Sequence, residues 1–371
     1  MSLLFAGILL LVESASAEPG ERGRAWVTAR KATVRAAPST SARVLAILER
    51  GDSVELEGCV PSCDARDGWA FVIPVGAIRL SLLALDAPDG MAEEPFRHGR
   101  VKSPGAPIFT GPDEETQTLG TRPTGHVLAF RARRPGTGSE EWLELVAGGY
   151  VQASSVELLE PSDFFGELLP ELPLAFFIRG VSLKGALTTT AVTRFSRAPI
   201  REISPAGVLL DEGLAPRRAV RVATLRERPV EIPPDARWVH VSLSEQVLVA
   251  YEGDNPVFAT LVSTGKGGFE TSVGVFRVWL KVRHIRMHGT REPYEVDEVP
   301  FVMFFHNDEA LHGAFWHARF GTRLSHGCIN LSVEDARWLF DWASPALPER
   351  WHSILPLEAQ LDTLWVVVAA D

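Results

Sequence analysis

Two short stretches near the carboxy-terminal end, Leu311-His312-Gly313 and Ser325-His326-Gly327-Cys328-Ile329-Asn330, gather residue types that can do nucleophilic chemistry. A cysteine attacks as its thiolate, and a neighbouring imidazole favours that form by taking the proton. Cys328 is therefore the candidate nucleophile, and His312, 16 residues upstream, is the candidate base once folding brings them together. Gly327 lets the backbone approach a substrate closely and adopt unusual dihedrals. The consecutive amides of Gly327 and Cys328 are placed to face a developing oxyanion. Trp316 and Arg319 lie between the two stretches and are expected to line a substrate cleft, where the guanidinium can hold a carboxylate through paired hydrogen bonds. Zinc is the competing use of His306, His312, His317, His326 and Cys328, because imidazole and thiolate are its usual ligands. No compact pair such as His-Glu-x-x-His supports that use, so no metal and no cofactor is expected. His288-Gly289 repeats the His-Gly pattern but lies much further along the chain from Cys328, and His312 is preferred.

These residues need a scaffold, and the flanking sequence predicts one made of strands. His240 to Leu243, Gln246 to Tyr251, Val257 to Val262 and Val275 to Leu280 are β-rich runs. Turn signals separate them at Glu252-Gly253-Asp254-Asn255 and Gly265-Lys266-Gly267-Gly268. Ala336, Leu339, Phe340 and Ala343 repeat at helical spacing, with Ser332 as N-cap and Glu334 and Asp335 in the positive first turn. Cys328 thus falls on a strand-to-helix connection.

The amino-terminal half reads as a duplication. Val34-Arg35-Ala36-Ala37-Pro38, Gly51-Asp52-Ser53-Val54 and Gly68-Trp69-Ala70-Phe71-Val72 are matched, at offsets of 73 or 74 residues, by Ile108-Phe109-Thr110-Gly111-Pro112, Gly125-His126-Val127-Leu128 and Trp142-Leu143-Glu144-Leu145. Short alternating runs between Gly and Pro turns suggest a small all-β barrel in each copy. Residues 161–234 are apolar enough for short strands packed between modules, and nothing in them suggests a function.

The 371 residues suggest two or three domains. Acidic residues outnumber basic ones 47 to 37, a net charge of −10, which argues against nucleic acid as the main partner. A 46% hydrophobic and 23% charged composition is that of a globular chain, and 3 cysteines are too few for a disulfide-rich scaffold. No apolar run reaches the ~18 residues of a membrane-spanning helix. Leu3 to Val12 followed by Ala15-Ser16-Ala17 reads as a secretory signal over residues 1–17, although no Lys or Arg precedes Arg22. An exported chain meets an oxidising compartment, where Cys59 and Cys63 either pair or remain two loop thiols.

The order His-Gly, then Ser-His-Gly-Cys-hydrophobic-Asn, is similar to the catalytic signature of the L,D-transpeptidase (YkuD-like) family. Val241-Ser242-Leu243-Ser244-Glu245-Gln246-Val247-Leu248, Ser263-Thr264-Gly265-Lys266 and Thr271-Ser272-Val273-Gly274-Val275-Phe276 follow that family's order, so that the resemblance covers about residues 236–370. The family usually has proline where Ser272 or Val273 stands. The two repeats, residues 24–88 and 96–160, resemble bacterial SH3-like domains. The fold so implied is mostly β, with two small SH3-like β-barrels, an unassigned segment at 161–234, and an L,D-transpeptidase-type domain at 236–370 with a short helix after the cysteine.

The resemblance implies that Cys328 attacks a peptidoglycan stem peptide and His312 serves as base. It further implies that the Gly313 carbonyl orients the imidazole and that His326, Gly327 and Cys328 supply oxyanion amides. Ser325 would buttress the loop, and Asn330 would lie near the substrate path. An amine acceptor would resolve the thioester, giving a cross-link or an attached protein, in the periplasm or cell envelope. The alternatives are hydrolysis by the same cysteine, as carboxypeptidase or cross-link hydrolase, and a non-catalytic protein gripping cell-wall glycan through the repeats.

Overall fold

Alternation of buried and exposed side chains dominates the chain, and strands dominate the fold accordingly. The computed structural model describes residues 23–63, 65, 67–86, 97–184, 189–289 and 292–371; the signal reading of residues 1–17 lies outside them.

In the first repeat Arg24–Val27 pairs with Ser53–Val60 and Leu83–Ala84, Lys31–Arg35 with Val44–Glu49 and Ala77–Arg79, and Trp69–Ile73 with Ser53–Val60 and Ala77–Arg79. The second repeat reproduces this scheme strand for strand. Arg97–Val101 pairs with Val127–Pro135 and Val156–Leu159, Ala106–Phe109 with Thr118–Arg122 and Tyr150–Gln152, and Glu141–Leu145 with Val127–Pro135 and Tyr150–Gln152. The duplication read from the punctuation is therefore a duplication of topology. Neither ladder closes into the expected barrel: Val44–Glu49 and Leu83–Ala84 end the first sheet path. The first end is instead taken by the chain after residue 350, where Leu355 N–H donates to Leu45 O and Ser353 Oγ to Ile47 O.

The segment 161–234, left without an assignment by its sequence, contains the same scheme a third time. Leu174–Phe177 pairs with Arg197–Pro199 and Val220–Ala223, Val181–Lys184 with Thr189–Val192 and Gly213–Ala215, and Gly207–Leu210 with Glu202–Ser204 and Gly213–Ala215. What is one long strand in the other copies is here split into Arg197–Pro199 and Glu202–Ser204, with proline at the break. Each copy ends in a single 3-10 turn, at Leu80–Leu82, Ala153–Ser155 and Arg217–Ala219. Cys59 and Cys63 are joined by a disulfide in the first repeat.

The carboxy-terminal part builds a sheet in the order Glu167–Leu168, Asn255–Leu261, Val247–Glu252, Arg237–Ser242, Trp365–Ala369 and Gly274–Arg277. The long strands Leu280–His288 and Glu295–His306 pair with each other, and Glu309–Gly313 and Ile329–Leu331 follow from their edge. The helix Val333–Trp342 packs Ala336, Leu339 and Phe340 into the core between, and the Ser332 side chain caps it by accepting from Asp335 N–H at 3.1 Å. Asp335 stands in the first turn, as its spacing predicts, but not on a solvated face. It is fully buried, accepts from Gly166 N–H at 2.8 Å and from Thr260 Oγ1, and burial pushes its carboxyl up to about 7.

Candidate active site

His312 and the residues that follow Cys328 belong to one parallel strand pair. Leu311 lies opposite Ile329, His312 opposite Asn330 and Gly313 opposite Leu331. Side chains alternate along a strand, so Leu311, Ile329 and Leu331 turn to the helix-covered core. Ala310, His312, Cys328 and Asn330 share the other face. Gly327, at φ +122°, makes the entry into this strand with a backbone angle that side chains disfavour.

His312 is buried, and its Nδ1 lies 3.1 Å from the Gly313 carbonyl. A carbonyl can only accept, so Nδ1 carries the proton and Nε2 holds the lone pair. Burial lowers the imidazole to about 4, offset in part by the Gly313 bond. Cys328 is half-buried against the apolar cluster containing Ala310 and Phe315. Burial pushes its thiol up to about 11, against a lowering main-chain hydrogen bond at Ala310; Glu309 and Asp308 add to the rise. The thiol donates to the Asp308 carbonyl at 3.6 Å. Burial thus favours the neutral form of both groups near pH 7, so a thiol stands where the residue types suggest a resting thiolate.

The loop that carries the nucleophile is braced on several sides. Ser325 Oγ donates to Cys328 O and accepts from Gly327 N–H at 3.2 Å, which diverts the Gly327 amide from its expected oxyanion role. Thr271 Oγ1 accepts from Gly265 N–H at 2.9 Å and donates to Gly327 O at 2.7 Å, a brace the sequence reading did not single out. Ser263 and Asn330 exchange two main-chain hydrogen bonds of 2.9 Å.

Cys328 and His326 line an open pocket of about 660 Å³ together with Phe269, Arg286, His288, Glu292 and Tyr294. His326 stacks on Tyr294 and places Nε2 2.8 Å from Glu292, which also pairs with Lys266. His288 is far from Cys328 in sequence, but the hairpin of Leu280–His288 and Glu295–His306 returns it to the pocket of Cys328. Alternation in a long hairpin is the only signal that could have placed it.

Trp316 and Arg319 do not line this pocket. The Trp316 ring packs 5.7 Å from that of His312, and Arg319 is exposed, with its carbonyl accepting from Ser263 Oγ at 2.9 Å and Thr322 Oγ1 at 2.7 Å. The loop folds back so that Trp316 lies on His312. His317 takes the inner place instead. Its Nδ1 accepts from Arg319 N–H at 3.1 Å, so Nε2 bears the proton, and the Asn330 amide 3.0 Å away must turn its oxygen to it. That assignment gives the otherwise unpartnered, buried Asn330 Oδ1 a donor. Among the described residues no group of three or more His, Cys, Asp or Glu side chains is arranged to hold a metal ion.

A buried neutral imidazole and a pocket-lining thiol thus lie on, and at the entry to, neighbouring strands of one parallel pair. Residues 236–350 match the L,D-transpeptidase catalytic domain family, YkuD. The chain is similar to an L,D-transpeptidase from Stackebrandtia nassauensis, at 24% identity over 37% of this chain and 57% of that one, with a TM-score of 0.27. L,D-transpeptidase 3 from Mycobacterium tuberculosis matches at 20% identity over 36% of this chain and 61% of that one, with a TM-score of 0.29. The catalytic domain of the E. faecium L,D-transpeptidase matches at 24% identity over 36% of this chain and 98% of that one, with a TM-score of 0.28. The chain thus spans about six-tenths of the first two structures it matches. No curated protein matches it.

Proposed function

We propose that this protein is an exported L,D-transpeptidase acting on peptidoglycan stem peptides through an acyl-enzyme at Cys328. The observation that carries the reading is the tethered His312. With Nδ1 committed to the Gly313 carbonyl, the basic nitrogen is Nε2, on the strand face shared with Cys328. In the reaction Cys328 Sγ attacks the carbonyl that precedes the terminal D-alanine of a tetrapeptide stem, and its proton passes to His312 Nε2. The amides of His326 and Cys328 face the oxyanion. The peptide C–N bond then breaks, His312 returns the proton to the departing amine, and a thioester remains. A side-chain amine of a second stem attacks the thioester, its proton leaves through His312, and the thiol is restored. Ser325 holds the loop, and Asn330 borders the substrate path. The two amino-terminal repeats are SH3-like modules that hold cell-wall glycan. No helix among the described residues is long and apolar enough to cross a membrane. The N-terminal apolar segment supports delivery to the periplasm or cell envelope.

Intact-mass measurement with a donor stem and an amine acceptor tests this directly. The expected result is a Cys328 adduct lacking D-alanine, followed by a cross-linked product. Release of the shortened stem by water instead would make the protein a carboxypeptidase. An unmodified protein that still binds sacculi would leave only the wall-binding reading.

A further inference from the structure

The chain between the two catalytic stretches has little internal structure to hold it. From Ala314 to Thr322 it forms neither helix nor strand, yet it joins the strand of His312 to the loop of Cys328. The carbonyls of Trp316, Ala318 and Gly321 are met from outside the catalytic region. Arg100 of the second repeat donates Nη2 to Trp316 O at 3.2 Å, and His98 of the same strand stacks on Phe315 with ring centroids 3.6 Å apart. Arg194 of the third repeat donates to Ala318 O, and Arg221 donates Nε to Gly321 O at 2.8 Å. Ile178 of that repeat packs so closely on Gly321 that a Cβ there would meet its Cγ2 at 2.3 Å.

The held loop reaches the candidate base by two routes. Trp316 packs on the His312 ring, and His317 bonds Asn330, the residue directly across the strand pair from His312. We propose that the second and third repeats clamp this loop, and that Arg100 and Arg221 are positioning residues for His312. The repeats are then part of the active-site scaffold in addition to any role in holding the wall.

The inference rests on the reading of Cys328 as nucleophile, and one experiment separates the two. The full-length parent, Arg100→Ala and Arg221→Ala are mixed with a carbapenem, and adduct formation is followed by intact mass between about pH 3.5 and 8. The thioester forms from Sγ and the lactam carbonyl, the ring C–N bond opens, and the thiol proton moves to the ring nitrogen. Loosening the loop is expected to slow acylation by about tenfold or more, because small misplacements of catalytic groups cost that much. It also admits water to His312, so the acid limb of the profile moves up from near 4 toward the ordinary 6.5. A merely less stable protein would lose amplitude without moving that limb. Arg221→Lys, which can still donate to Gly321 O, is expected to recover most of the rate. Alanine variants that match the parent in rate and acid limb overturn the clamp. A parent that gains no mass overturns the nucleophile assignment instead. If an alanine variant does not fold, Arg100→Gln and Arg221→Gln are read by the same criteria.

Discussion

Burial moves the two candidate catalytic groups in opposite directions, and both shifts favour the uncharged form. His312 falls to about 4 and Cys328 rises to about 11, each chiefly by desolvation. A base that must be neutral to act loses activity only as pH falls through its own pKa. Acylation of Cys328 is therefore expected to stay level from about pH 5 to 9 and to drop only near 4, measured as the second-order rate with a carbapenem. Iodoacetamide, which requires free thiolate, should label Cys328 slowly at neutral pH and speed up toward 11. Fast labelling at pH 6 would mean a preformed ion pair and refute the neutral resting state. Cys328→Ala is expected to abolish acylation with the fold intact, and His312→Ala to slow it by about 10²- to 10⁴-fold. An unaffected His312→Ala would move the base to another histidine.

The strand–loop–helix unit from Glu309 to Trp342 carries most of what makes the site. Its periodicity is open to inspection in the sequence: Leu311, Ile329 and Leu331 alternate with His312, Cys328 and Asn330, and the N-cap and apolar face of the helix stand where their residue types place them. The first-turn place of Asp335 is legible in the spacing, whereas its burial against Gly166 and Thr260, distant in sequence, is not. Its folded carboxyl binds a proton below about 7, the unfolded one only below 3.8. The stability it contributes is thus present at acid pH and lost as pH rises through about 7. Asp335→Asn should remove this dependence, so that its melting temperature gains on the parent between pH 4 and 8. A constant difference would refute the assignment. Asp335→Ala should cost about 1–3 kcal/mol in urea unfolding, because Gly166 N–H and Thr260 Oγ1 lose their buried partner.

Three copies of one strand topology surround the catalytic region, and they meet it in different ways. The second enters its sheet directly, with Val127 paired in parallel to Val296. The third shares a core with it, where Phe176 and Ala223 join Phe164, Trp238 and Phe320. The first is held by the chain beyond residue 350. Trp351 fills the core of that repeat, and Asp52 accepts from His352 N–H at 2.8 Å. Trp351→Ala should therefore cost about 3–5 kcal/mol and expose the first repeat to proteolysis. Carbapenem acylation should continue nearly unchanged, since this contact lies away from the 314–322 loop. A matching loss of acylation would show that the first repeat also supports the site.

The sequence alone determined the strands and helix that carry Cys328 and His312 and the doubling of the first module, because each is written in local spacing and alternation. The third copy escaped because its strands are shorter and its long strand is split at Pro199, which removes the punctuation that identifies the others. Only the tertiary structure decided that His288 shares the pocket with Cys328, that Trp316 and Arg319 are not among its lining residues, and that arginines of two other modules bond the loop between. Those outcomes depend on side chains meeting carbonyls and rings more than a hundred residues away in some cases, and on desolvation that exists only once the chain has closed over them.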